Sequence, residues 1–221
     1  MTGRFEEDGF ALWPAIVDAR ELDAVGQALA ARRADGMREL LSERWCADLA
    51  RRLQSDERLA GVIPASHVPV QCTAFEKSRD RNWLVAIHQD VAIPVAGRVD
   101  DMALRGWSNK GGTWFVQPPA AVLHGLVALR LHVDDCGPDD GPLHVVPGSH
   151  RDGRLGDAEA IALRDARGTV ACHVPRGGAM LMRPLLLHAS SKAIGTSRRR
   201  VLHFVFGPRE LPLGLAWARS R

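Results

Sequence analysis

No Cys-x-x-Cys pair occurs in this 221-residue sequence, and its four cysteines (Cys46, Cys72, Cys136 and Cys172) are scattered. That spacing excludes a thiolate zinc ribbon, argues against a disulfide framework and makes a reducing cytoplasm the expected compartment. Long apolar runs are missing too: none approaches the roughly 18 residues of a membrane span. Glu6, Glu7 and Asp8 stand where a secretory leader has its apolar stretch. A soluble, cytoplasmic protein with no membrane partner is the expectation. Charge of one sign is also scarce. A formal charge of +3 gives no footprint for nucleic acid, and Arg198-Arg199-Arg200 is the one local basic cluster. There is no internal repeat, and nothing sets an oligomeric state.

What is present suffices for one globular core. Hydrophobic residues make up 46% and charged residues 25% of the chain, a composition that folds rather than staying disordered. One domain over 1–221 is expected, mainly helical over 1–57 and β-rich over 58–210. Asp18 is placed to cap a helix from Ala19 to Arg33, with Leu22, Val25 and Leu29 at helical spacing. A second helix is predicted over 37–53, with Leu40, Leu41 and Leu49 inward. Beyond Ser55 the texture changes to short runs broken by Gly, Pro and Asp. These predict strands at 68–76, 83–95, 126–135, 142–147, 169–175, 179–189 and 200–206. The 96–120 segment, with Gly111-Gly112 and Pro118-Pro119, reads as a long loop. Two helices followed by many short strands predict a mainly β fold with flanking helices, a jelly roll.

Two histidines and a carboxylate on one face of a metal leave positions open for co-substrate and O₂. On a strand, His-x-Asp presents two such ligands together, because residues i and i+2 point the same way. Nine histidines and 26 acidic residues supply about one such pair by chance, and this chain has three: His88/Asp90, His132/Asp134 and His150/Asp152. Around His88/Asp90 both strand faces are apolar (Leu84 and Ala86 on one, Val85 and Ile87 on the other). Buried polar groups there need a partner, and a metal supplies one. Arg130, His132 and Asp134 share a polar face opposite Leu129, Leu131 and Val133, the pattern of a half-buried strand. His150/Asp152 follows a Pro-Gly-Ser turn. For the third ligand His188 stands out, on the face of Met180, Met182 and Leu186. If 190–198 forms a hairpin, Arg199 returns to its neighbourhood, sharing a face with Val201, His203 and Val205. A guanidinium there is suited to grip a carboxylate. Arg198 and Arg200 read as solvated. Trp83, Trp107, Trp114 and Phe115 are candidates to wall a pocket, with Lys110 and Gln117 on the same loop.

Several short runs carry a resemblance: Phe75-Glu76-Lys77, Asn82-Trp83-Leu84-Val85, His88-Gln89-Asp90, Val116-Gln117-Pro118-Pro119, Asp140-Gly141-Pro142-Leu143 and Val146-Pro147-Gly148-Ser149-His150. In order and spacing they resemble the phytanoyl-CoA dioxygenase family over nearly the whole chain. The resemblance implies a double-stranded β-helix of cupin-like form and Fe(II) held by His88, Asp90 and His188. It implies a 2-oxoglutarate site with Arg199 at the distal carboxylate, Lys77 and Ser190 as further contacts, and O₂ as oxidant. Gln71, Arg130, Trp83, Trp114 and His203 become candidates for contact with a small-molecule substrate, hydroxylated with release of succinate and CO₂. Ala86-Ile87 departs from many relatives, which have a bulkier, aromatic or proline-containing pair before the first ligand. A cupin-type metalloenzyme that needs no 2-oxo acid, and a non-catalytic small-molecule-binding protein on the same scaffold, remain open alternatives.

Overall fold

A computed structural model describes residues 4–31 and 38–218. In chain order it contains α1 (Phe5–Asp8), β1 (Phe10–Trp13), α2 (Ala19–Ala31), α3 (Arg44–Gln54), β2 (His67–Lys77), β3 (Val85–His88), β4 (Ile93–Val95), β5 (Arg105–Lys110), β6 (Thr113–Gln117) and α4 (Ala120–His124). Then come β7 (Val127–His132), β8 (Leu143–Val145), α5 (Asp157–Arg167), β9 (Val170–Cys172), β10 (Ala179–Met182), β11 (His188–Ser190) and β12 (Arg199–Pro208). The strands form three antiparallel sheets: β1-β10-β7-β12-β2, β3-β11-β8-β9, and a smaller β4-β6-β5. This is the double-stranded β-helix that the sequence predicts.

Strand alternation sorts the five-stranded sheet into two faces. One face, with Leu129, Leu131, Leu181, Leu202, Phe204 and Phe206, packs on Leu22, Val25 and Leu29 of α2 and Leu49 and Leu53 of α3. Each large apolar side chain buried there contributes roughly 1.5–3 kcal/mol. The opposite face looks toward the four-stranded sheet. At one end of that interior Ala128, Met180 and Met182 pack against Leu143, Val145, Cys172 and Leu186. At the other end polar residues replace apolar ones and a cavity opens. The Asp18 cap is present, its Oδ1 accepting from the Glu21 N–H at 2.9 Å.

Several expectations need correction. The second helix begins at Arg44. Leu40 and Leu41 are both buried in a 3-10 turn, and extended Glu43 separates it from α3. Residues 32, 33 and 37 of the two predicted helices lie outside the described residues. The first 57 residues also supply a strand, β1, which pairs with β10 at the sheet edge. The predicted loop at 96–120 holds the β5–β6 hairpin and α4. Gly111 and Gly112 both have positive φ, 62° and 91°, and join Lys110 to its partner Thr113, as a two-residue hairpin turn requires. Helix α5 was not predicted, because Ala160 is its one fully buried residue and so its apolar stripe is thin. The 83–95 run divides into β3 and β4, and the 179–189 run divides into β10 and β11, which belong to different sheets.

Candidate active site

A cavity of about 380 Å³ opens between the two larger sheets. His88 and His188 face each other across the β3–β11 ladder, where they are direct register partners. Their rings lie 4.2 Å apart, centre to centre. Asp90 follows β3, its N–H donating to the Pro184 carbonyl at 2.9 Å. Neighbouring Gln89 ties that bend to the Leu185 and Gly153 carbonyls at 2.7 Å each, and its Oε1 accepts from the Leu155 N–H at 2.9 Å. One ligand atom from each of His88, Asp90 and His188 lies within 4.8 Å of the others.

The hydrogen bonds behind these rings fit a metal. Nδ1 of His88 meets the Ala86 carbonyl at 2.8 Å, and Nδ1 of His188 meets the Leu186 carbonyl at 2.9 Å. A carbonyl only accepts, so both protons sit on Nδ1 and both Nε2 lone pairs face inward. Each Nε2 lies 3.8 Å from an Asp90 oxygen. Burial lowers the His188 pKa to about 4, against the attraction of Asp90, which keeps the ring in the neutral form that metal binding needs. Burial opposes ionisation of Asp90, but His188, His203, His88 and Arg130 around it hold the carboxyl below its usual range.

His203 has the opposite tautomer. Its Nδ1 lies 3.2 Å from Nη1 of Arg130. Arginine only donates, so the proton of His203 is on Nε2, 3.8 Å from the Asp90 Oδ2 that His188 also faces. This ring aims an N–H at the carboxylate instead of a lone pair at a metal. Burial, with Arg130 nearby, lowers its pKa to about 4.

Farther along the inner face, Arg199 of β12 pairs in register with Lys77 of β2. Arg199 Nη1 donates to the Gly141 carbonyl at 2.9 Å, while its buried Nε has no partner among the described residues. Lys77 Nζ donates to Ser190 Oγ at 2.8 Å and also to the Ser191 carbonyl. Burial, then Arg199 and Arg130, lowers the Lys77 pKa to about 8. Gly141 makes this corner possible. Its φ is +62°, and a Cβ there would lie 2.7 Å from the Ser191 carbonyl oxygen, closer than any side chain tolerates.

The candidates from the sequence divide clearly. His88, Asp90, His188, Arg199, Lys77 and Ser190 all line the cavity, as do Gln71, Arg130, Trp83 and His203. Trp114 does not: it alternates with Phe115 on β6, and Phe115 lines the cavity. Trp114 stacks edge-on with Trp107 at 6.4 Å, and Arg98 lies over both rings. Phe75 and Thr73, also in the lining, were missed, although they share the alternation of Gln71 and Lys77 on β2. Two premises fail. β3 is an edge strand, and Leu84 immediately before it is 63% exposed, so the apolar residues around His88 do not mean burial on both faces. The polar face of β7 is not outside: Arg130 and His132 are buried, because helices cover the opposite face. The 190–198 segment is no hairpin. It crosses from one sheet to the other, which brings Arg199 into the cavity opposite His188. Arg198 pairs with Glu76 at the surface, but Arg200 is half-buried in a two-bond pair with Asp134.

The sequence matches the phytanoyl-CoA dioxygenase family over residues 5–201, and the chain belongs to that family. No curated protein matches it in sequence. Among solved structures it is similar to SnoN, a non-heme alpha-ketoglutarate-dependent epimerase of nogalamycin biosynthesis. Identity is 17% and the TM-score 0.67, covering 98% of this chain and 83% of that one. It is similar to HygX of Streptomyces hygroscopicus with nickel and 2-oxoglutarate bound, at 19% identity and a TM-score of 0.65, covering 92% and 84%. AviO1 of Streptomyces viridochromogenes has 24% identity and a TM-score of 0.63, covering 95% and 94%.

Proposed function

We propose that the protein is an Fe(II)- and 2-oxoglutarate-dependent dioxygenase that hydroxylates a small molecule. The observation that carries this reading is the pairing of two inward Nε2 lone pairs with one carboxylate, in the same cavity as an arginine whose Nε is unpartnered. His88, Asp90 and His188 would hold the iron. Arg199 would bind the distal carboxylate of 2-oxoglutarate, with Lys77 and Ser190 beside it. Bound iron and 2-oxoglutarate supply oxidising power from O₂, with succinate and CO₂ as co-products. This chain's own residues orient the distal carboxylate, and Gln89 fixes the bend that carries Asp90 through its bonds to the Leu185 and Gly153 carbonyls. Gln71, Trp83 and His203 are the side chains we assign to the substrate's surroundings.

Anaerobic titration of the protein with Fe(II) and 2-oxoglutarate is expected to give the weak visible charge-transfer band of a chelated 2-oxo acid. Its absence from folded protein would sink the reading. Hydroxylation is tested separately, by mass: the product should gain one oxygen atom. A product that instead lost two hydrogens, as oxidative ring closure requires, or kept the mass of the substrate, as epimerisation requires, would leave the co-substrate chemistry standing and replace hydroxylation; SnoK is a carbocyclase and SnoN an epimerase.

A further inference from the structure

Arg130 has no role in the scheme above, and it is an unusual residue to leave over. It is 7% exposed and lines the cavity. Nη1 reaches Nδ1 of His203. Its guanidinium lies 5.7 Å from the Phe75 ring centre. Among the described residues the remaining donors of this fork have no hydrogen-bond partner, and no carboxylate forms an ion pair with it. A buried guanidinium without an anion is costly, so such groups are ordinarily paired or aimed at a ligand.

The charges that line the cavity are also out of balance. Lys77, Arg130 and Arg199 are buried cations on its wall, and among the described residues Asp90 is the one carboxylate that lines it. A divalent ion and the 2-oxoglutarate dianion cancel each other. Asp90 offsets one cation, so positive charge remains, and Lys110 and Arg38 at the mouth add to it. The position of Arg130 matters as well. It pairs in register with His203, four residues along β12 from Arg199, so the two arginines occupy separate levels of the same face. Arg199 is at the Lys77–Ser190 corner, whereas one imidazole ring separates Arg130 from Asp90.

We infer that Arg130 forms an anion subsite for the substrate, which is a compact organic acid whose carboxylate pairs with the free edge of this guanidinium. The inference rests on the Fe(II)/2-oxoglutarate reading. A planar fork matches a carboxylate in two parallel bonds. The cavity of about 380 Å³ must also hold the co-substrate, which limits the acid to a small one.

The test uses the intact protein loaded anaerobically with Fe(II) and 2-oxoglutarate. Benzoate, cyclohexanecarboxylate, hexanoate and N-acetyl-leucine are each titrated calorimetrically against the matching primary amide. At least one acid should bind roughly tenfold or more tightly than its amide. Arg130→Gln should abolish that preference, and Arg130→Lys should retain part of it. The wild-type comparison depends on neither variant folding. The charge-transfer band, followed in the same samples, separates the two readings. If wild-type protein shows no band, the Fe(II)/2-oxoglutarate reading fails and this one fails with it. A normal band with acids and amides bound equally, or not at all, overturns the anion subsite alone. So does a loss of 2-oxoglutarate affinity beyond about tenfold in Arg130→Gln, which would transfer Arg130 to the co-substrate.

Discussion

Replacing Arg199 with methionine removes a guanidinium while keeping most of its apolar volume. In the proposed complex it deletes a charge-assisted pair with the distal carboxylate, worth about 1.5–3 kcal/mol, so the 2-oxoglutarate KM should rise roughly 10- to 150-fold. Lys77, directly across the ladder, limits the loss. Arg199 is one of the charges that depress the Lys77 pKa, so without it the lysine is more fully protonated and retains part of the attraction. Stability should change less than binding. The Gly141 carbonyl loses its donor, a cost of about 1–2 kcal/mol, but repulsion from Lys77 and Arg130 is relieved. The expected fall in Tm is therefore only a few degrees, at about 2–4 °C per kcal/mol for a chain of this size. Succinate release at varied 2-oxoglutarate gives KM and kcat together, and kcat should move less because the interaction is made in ground and transition states alike. An unchanged KM in a folded variant would refute the anchor role of Arg199.

Other expectations follow from the same geometry. Asp90→Ala and His188→Ala should each abolish turnover and weaken Fe(II) binding, with the circular dichroism spectrum retained; full activity in either would remove that residue from the metal site. Lys77, with its pKa lowered to about 8 by burial and the two arginines, holds its proton below that pH. The 2-oxoglutarate KM should therefore climb as pH passes through about 8, and Lys77→Met should flatten the climb; a profile identical in both proteins would contradict this. Asp134→Asn strips a half-buried two-bond partner from Arg200, whose pKa that hydrogen bonding raises. It should cost roughly 2 kcal/mol in urea denaturation, and a loss below about 0.5 kcal/mol would show the pair to be energetically idle.

The residues that declare themselves in sequence are those whose chemistry is local. His-x-Asp puts two ligands on one strand face whatever the strand's neighbours, and the Asp18 cap needs only the next turn of helix. What stayed illegible depends on which sheet a strand joins. Apolar residues around His88 suggested burial, but an edge strand with Leu84 in solvent shows the same letters. Arg130 and His132 resembled a solvated face, because the sequence does not reveal that α2 and α3 cover the other one. The 190–198 segment could have been a tight return or a crossover between sheets, and either would bring Arg199 near His188. Gly111-Gly112 is a turn signal that reads equally as a long loop or as the β5–β6 hairpin, and only the strands on either side decide it.

Strand β12 reads the protein's two demands in alternate letters. Along Arg199–Phe206, the odd positions Arg199, His203 and Val205 line the cavity and the even positions Leu202, Phe204 and Phe206 meet the helices. Buried Val201 is the one odd position in that run outside the lining. Random substitution along the strand should thus produce a two-beat pattern of phenotypes. Changes at even numbers should reduce the amount of folded protein, whereas changes at lining positions should leave folded protein with altered chemistry. New specificities can then be sought at every second residue, with the scaffold left alone.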